Sequence, residues 1–245
     1  MSDALSQFYA DKKDRIKALG SNDNLKRQAL GFMRESIVSR YLYNFSWLGL
    51  PIIQFPQDLV ALQEIIWERK PSLIVETGVA YGGSAIFYAS LMATLGLGGQ
   101  VLSIDIAIKD STRTRVTEHP LANLITLVEG DSSNPAVFAK AQELAAKSGS
   151  VMVVLDSLHS HQHVLAELKL YHELVTPNQY LVVFDGFMDH FPELFDGTKP
   201  WGPGSNPLTA TRAFLAENDD FTIDWDLLNK LAITAAPEGY LIKKG

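Results

Sequence analysis

Residues 72–84 read SLIVETGVAYGGS. The first half is a near-continuous apolar run of strand length. The second is a glycine-rich turn running into the apolar segment SAIFYASLMATLG (84–96). Apolar residues on both faces of a strand are expected where helices cover both sides of a parallel sheet. The same pattern returns at QVLSIDI (100–106), LITLVEGD (124–131), VMVVLDS (151–157) and YLVVFDG (180–186). Helical segments lie between, notably NPAVFAKAQELAAK and HQHVLAELKLYHELV. Strand–helix alternation at this spacing predicts an α/β fold, a doubly wound and mostly parallel sheet. After Pro207, LTATRAFLAEN reads as a helix, followed by FTIDWD and LAITAAPEGYLIKK. The last stretch reads as a hairpin turning at Pro237–Gly239, so the C-terminal edge of the sheet is expected to be antiparallel. Upstream, residues 1–70 read as an N-terminal helical or cap extension broken by the aromatic segment YLYNFSWLGLPIIQFP, and residues 71–245 as the sheet domain.

The 245 residues are 47% hydrophobic and carry a net charge of -7. That apolar fraction supports a large core. The acidic balance argues against nucleic acid as a partner, because the surface repels phosphate backbones. There is no cysteine, which removes disulfides, thiolate metal sites and thiol nucleophiles. No apolar run is long enough for an integral membrane segment, and MSDALSQFYADKKDRIKALG lacks the apolar stretch of a signal peptide. The expectation is a cytoplasmic protein. The N-terminal helices and aromatic segment carry more apolar surface than the sheet needs, so a homo-oligomer is expected.

Ligands of an open parallel sheet sit outside the carboxyl ends of its strands. Those ends carry Glu76 and Gly78, then Asp105, Asp131 with Ser132, Asp156 and Asp185. The turn after the first strand is G-x-x-x-G-G (Gly78, Gly82, Gly83), neither the dinucleotide fingerprint nor a P-loop. Its glycines let a ligand approach the backbone at a helix N-terminus. Asp105 is placed to accept from a ribose diol. Asp131 and Ser132 are placed either to meet an adenine edge or, with Ser133 and Asn134, to cap the next helix. So many acids along one rim repel one another unless a cation or donors are recruited there. His159, His161 and His163 follow Asp156, too closely spaced for all of them to face one centre; His159 is the functional candidate. None of the six histidines precedes an acid by two residues, which disfavours a non-haem iron site.

Taken in order, ETGVAYGGS, SIDI, HPLANLITLVEGDSS, VVLDSLHSHQHVLAELKLYHELV and YLVVFDG resemble the cephalosporin hydroxylase/rhamnosyl O-methyltransferase family. The flanking YNFSWLGLPIIQFPQDL and KPWGPGSNPLTA look like the same family, so the likeness spans roughly residues 35–245. It implies a Rossmann-like S-adenosylmethionine methyltransferase sheet and transfer of a methyl group to a hydroxyl of a small molecule or sugar, of glycolipid or natural-product type. It implies Glu76, Gly78, Tyr81, Gly82 and Ser84 around the methionine moiety, Asp105 on the ribose, Asp131 and Ser132 near the adenine, and Asp156 beside the cofactor. Metal-dependent relatives bind Mg2+ through an aspartate matching Asp156 and an acidic pair after the fifth strand. Here that pair is Phe184-Asp185, leaving Asp156 and Asp185 as metal ligands, with Asp189 or Glu193 as substitutes for the lost acid. His159, beside Asp156, is then the general base, histidine being the side chain that titrates nearest neutrality. Tyr43, Phe45, Trp47 and Gln54 are either a lid or acceptor wall, or core and subunit packing. WGPGSNP (201–207) is either a loop lining the site or a plain connector. The competing readings are an NAD-linked oxidoreductase on the same sheet and an inactive homologue that kept the cofactor fold.

Overall fold

The computed structural model of the chain describes residues 3–96 and 98–245. Two helices, α1 (Ala4–Gly20) and α2 (Asp23–Val38), lead to a small antiparallel ribbon of β1 (Ser46–Trp47) and β2 (Leu50–Pro51), then α3 (Pro56–Arg69). The alternating body follows: β3 (Leu73–Thr77), α4 (Gly83–Leu95), β4 (Gln100–Asp105), α5 (Asp110–Thr117), β5 (Ile125–Glu129), α6 (Pro135–Ala145), β6 (Val151–Leu155), α7 (His161–Tyr171) and β7 (Tyr180–Val183). It ends with α8 (Pro207–Glu217), β8 (Phe221–Ile223), α9 (Trp225–Leu231) and β9 (Tyr240–Lys243).

The seven-stranded sheet has the order β5-β4-β3-β6-β7-β9-β8. Strands β3 to β7 are parallel; β9 runs antiparallel to both β7 and β8. Every residue of β3, β6 and β7 is buried, as their unbroken apolar runs predict. Side chains alternate between two cores. Ile74, Met152, Val154 and Val182 join α3, α4 and α9 on one face. Leu73, Val75, Val153 and Leu181 join α6, α7 and α8 on the other.

The antiparallel edge is as expected, but its pairing is not a terminal hairpin. Leu231–Thr234 form no strand; β9 pairs instead with FTI (221–223), and α9 lies between them. Asp224 caps α9 by accepting from the Leu227 amide at 3.0 Å. A tight turn does form before β9, where the Gly239 amide donates to Ala236 O at 3.0 Å; it delivers β9 beside β7 rather than folding it onto LAIT. Helix α5 (DSTRTRVT) carries no apolar stripe for sequence to reveal, since only Thr112 and Val116 are buried.

The register levels the working ends of the strands. Thr77 stands opposite both Ile104 and Leu155, so Gly78, Asp105 and Asp156 emerge together at the switch point between β3 and β6.

Candidate active site

The turn after β3 is held by Asp105. Its Oδ2 accepts from the Val79 amide at 2.8 Å and the Ala80 amide at 3.2 Å, and its Oδ1 accepts from the Ala107 amide at 3.0 Å. Asp105 therefore shapes the loop as well as lining the cavity beyond it. Gly78 sits at φ +94, and a Cβ there would lie 2.0 Å from the Asp156 carbonyl oxygen. Only glycine lets the β3 and β6 turns cross so closely. Below the turn Glu76 is fully buried, accepting from Ser103 Oγ at 2.5 Å and from Ser84. Burial pushes its pKa up to about 7, against the hydrogen bonds from Ser103 and Ser84.

Two cavities flank this turn. One, of about 380 Å³, runs between the ends of β4, β5 and β6 and is lined by Gly78, Asp105, Asp131, Ser132, Asp156 and His163 among others. The other, of about 160 Å³, lies toward the N-terminal segment and is lined by Gln54, Tyr81, Gly83, Ser84, Asp156 and Asp185 among others. Gly78, Ala80, Asp156 and His159 face both. The expected cofactor residues thus gather around one crevice, except two. Glu76 lies beneath it, and Gly82 faces Val116 and Leu50, its φ of +86 serving the turn into α4.

Asp156, His159 and Asp185 converge so that one ligand atom from each lies within 4.8 Å of the others. His159 Nε2 is 3.3 Å from Asp185 Oδ2, and its ring meets Trp201 edge-on at 5.4 Å. The 201–207 segment therefore touches the triad through Trp201. Asp185 is held in the left-handed region at φ +58, a strained state for a non-glycine residue that is maintained by its surroundings. The Phe184 amide donates to Leu155 O and the Gly186 amide to Ala235 O, both at 3.0 Å. Asp156 accepts one side-chain hydrogen bond, from Gln54 Nε2 at 3.0 Å. Burial first, then the charges of Asp185 and Glu76, drive its pKa well above the usual carboxylate range. Two carboxylates facing each other with so few donors suit a hard divalent cation, which neutralises both.

Several other expectations divide. Asp189 is not free to replace the missing acid: its Oδ1 accepts from the Gly204 amide at 2.7 Å and Asn206 Nδ2 at 2.8 Å. Glu193 pairs with Arg34 at 2.9 Å on the surface. Phe184 points into the core against Tyr240. Trp47 packs on Phe87 at 4.9 Å and Phe45 on Tyr41 at 5.0 Å, whereas Tyr43 and Gln54 face the smaller cavity. His161 accepts or donates at Thr209 Oγ1, 2.8 Å away. Asn134, not Ser132, caps α6.

Ser132 is engaged inward, donating to Glu167 Oε1 at 2.6 Å, with His163 Nε2 at 3.2 Å. Ser157 Oγ donates to the same Glu167 oxygen at 2.8 Å. This buried serine–glutamate–histidine network went unread in the sequence. Its trace was there: Glu167 falls on the same helical stripe as Val164, Leu168 and Tyr171, all buried, and a charge on a core stripe marks a polar network.

The profile of the Rhamnosyl O-methyltransferase/CmcI family matches residues 39–244. The chain belongs to this family. Rhamnosyl O-methyltransferase from Mycobacterium bovis (strain BCG / Pasteur 1173P2) is 35% identical over 200 residues, covering 81% of this chain and 78% of its own. Its counterpart from Mycobacterium leprae (strain TN) is 35% identical over 205 residues, covering 81% and 83%. Among solved structures, the Mg-SAM form of CmcI superposes with a TM-score of 0.59 at 21% identity, over 83% of this chain and 78% of that one. The O-methyltransferase TomG from Streptomyces achromogenes, in complex with SAM, gives 0.51 at 17% over 91% of each chain. CmcI and TomG thus share the fold of this chain.

Proposed function

We propose that the protein is an S-adenosylmethionine-dependent O-methyltransferase acting on a hydroxyl of a sugar or other small molecule. The observation that carries this reading is the convergence of Asp156, His159 and Asp185 where two cavities meet at the switch point of the sheet. Family membership and the names of the curated relatives support the reaction class.

In this reading the larger cavity takes the nucleoside. Asp105 and Asp131 face it, and Asp105 keeps acceptor capacity beyond its three backbone donors. The methionine end extends toward Ser84 and the N-terminus of α4, whose free amides favour a carboxylate. Asp156 and Asp185 would hold a divalent cation, Mg2+ in keeping with its preference for oxygen ligands. The chemistry such an ion would supply is Lewis-acid polarisation, which makes a neighbouring substrate hydroxyl easier to deprotonate. His159 is the poorer ligand for Mg2+ and serves as the base; Nε2 takes the proton, and Asp185 at 3.3 Å stabilises the resulting imidazolium. The acceptor oxygen must lie in line with the methyl carbon and its sulfur, so most of the acceleration comes from positioning. A homo-oligomer belongs to the same reading, supported by Leu5, Phe8 and Tyr9, all exposed along α1.

Calorimetry with S-adenosylmethionine and with NAD, each with Mg2+ and then with a chelator, tests this directly. Binding of S-adenosylmethionine alone is the expected result. Binding of NAD alone, or of neither, overturns the assignment.

A further inference from the structure

A third cavity, of about 390 Å³, is lined by Asp185 and shares no residue with the nucleoside crevice. It shares Tyr43, Ile53 and Asp185 with the smaller cavity of the active site, so it communicates with the converging triad. Its lining combines a carboxylate, an apolar wall and a cation. Asp185 marks the end at the reacting centre. Ile37, Leu42, Ile53 and Phe187 supply apolar wall. Arg40 contributes the opposite character: it is exposed, lines the cavity, and follows α2 in the left-handed region at φ 54. Arg34, Arg69, Arg113 and Arg212 are ion-paired; Arg40, like Arg15, Arg27 and Arg115, has no carboxylate partner among the described residues, and of these four it is Arg40 that lines a cavity. A positive residue after a helix C-terminus meets the helix dipole favourably, but that alone does not require a strained backbone or a place on a cavity wall. In a chain of net charge -7, an unpaired guanidinium in a partly apolar cavity is a device for choosing an anion.

We propose that this cavity is the acceptor site and that it selects an amphipathic acceptor carrying an anionic group, a carboxylate or phosphate. The hydroxyl to be methylated lies at Asp185 and His159, the apolar part of the acceptor packs on Ile37, Leu42, Ile53 and Phe187, and the anion meets Arg40. This rests on the methyltransferase reading and adds the acceptor's chemistry to it.

The test uses the full chain saturated with S-adenosylhomocysteine and two probes, p-carboxyphenyl α-L-rhamnoside and its neutral methyl ester. Calorimetry should find the carboxylate about tenfold tighter than the ester. Arg40→Asn removes the charge while tolerating the left-handed backbone; it should level the two affinities and leave S-adenosylhomocysteine binding unchanged. Ile37→Trp, which fills the cavity, should abolish binding of both rhamnosides with the nucleoside still bound. Equal affinity of the two probes for the native protein, a preference that survives Arg40→Asn, or failure of both to bind the nucleoside-loaded protein overturns the proposal. Failure to bind S-adenosylhomocysteine itself is a separate reading, and it brings down the methyltransferase assignment with everything built on it.

Discussion

Two carboxylates, the fully buried Asp58 on α3 and the half-buried Asp156 after β6, face opposite fates. Asp58 accepts from Thr234 Oγ1 at 2.6 Å, the Ala235 amide at 2.8 Å and the Tyr240 hydroxyl at 2.8 Å. Burial raises its pKa only to about 6, because those donors offset it. Among the described residues Asp156 has a single side-chain donor, Gln54, whose own amide oxygen is buried without a partner. Asp185 and Glu76 repel it further. The first carboxylate is satisfied and ties α3 to the segment that leads into β9. The second is left short of donors where two cavities meet. Burial alone does not mark a functional acid; the shortage of donors does.

Breaking the active-site side of this contrast should give the largest effects. Asp156→Asn is expected to cut turnover at least about a hundredfold, with stability unchanged or higher, since a poorly compensated buried charge has gone. His159→Ala should lose about 10²- to 10⁴-fold in turnover while S-adenosylhomocysteine affinity, read by calorimetry, stays put. If Asp156→Asn instead unfolds more easily in urea, the contrast with Asp58 is wrong.

On the structural side, Asp58→Ala should cost about 3 kcal/mol, because the Ala235 amide and Tyr240 hydroxyl lose their acceptor. Urea unfolding measures it, and the folded fraction should keep its specific activity.

Glu76 sharpens the comparison through pH. Its pKa is raised from 4.5 to about 7, so the stability it contributes is fully present below about 4.5 and is lost as pH rises through about 7. Wild-type protein should therefore lose up to about 3 kcal/mol relative to Glu76→Gln between pH 4.5 and 8. Parallel stability curves for the two proteins would remove Glu76 from the argument. The smallest effect is that of the ion. Millimolar Mg2+ should raise the melting temperature of the wild type by about 2–4 °C and leave Asp156→Asn unmoved.

What the residues reveal in advance follows burial. Strands β3, β6 and β7 are apolar on both faces and announce themselves, and acids at the strand ends, Asp105, Asp156 and Asp185, are fixed once the strands are. Gly78 was legible as a close approach of backbone, though its neighbour proved to be the Asp156 carbonyl. Long-range partners are not legible. Nothing near Gln54 in sequence says that its amide reaches Asp156, 102 positions on. The loss of Asp189 and Glu193 as substitute ligands depends on Asn206 and Arg34, which only the tertiary arrangement brings near. Helix α9 and the pairing of β9 with β8 escaped for a similar reason: short elements at a sheet edge are set by what they pack on, here Tyr240 against Asp58 and Phe184.

The place of β9 in the sheet has a consequence for biosynthesis. It lies between β7 and β8, so a strand made after both of its neighbours is an interior one. While the ribosome is still translating, β7 presents a bare row of amides and carbonyls, and β8 has no neighbour at all. Such an edge invites pairing with another nascent chain. Only the emergence of Tyr240–Lys243 closes it, so the sheet stays open to pairing with its own copies until β9 has been made.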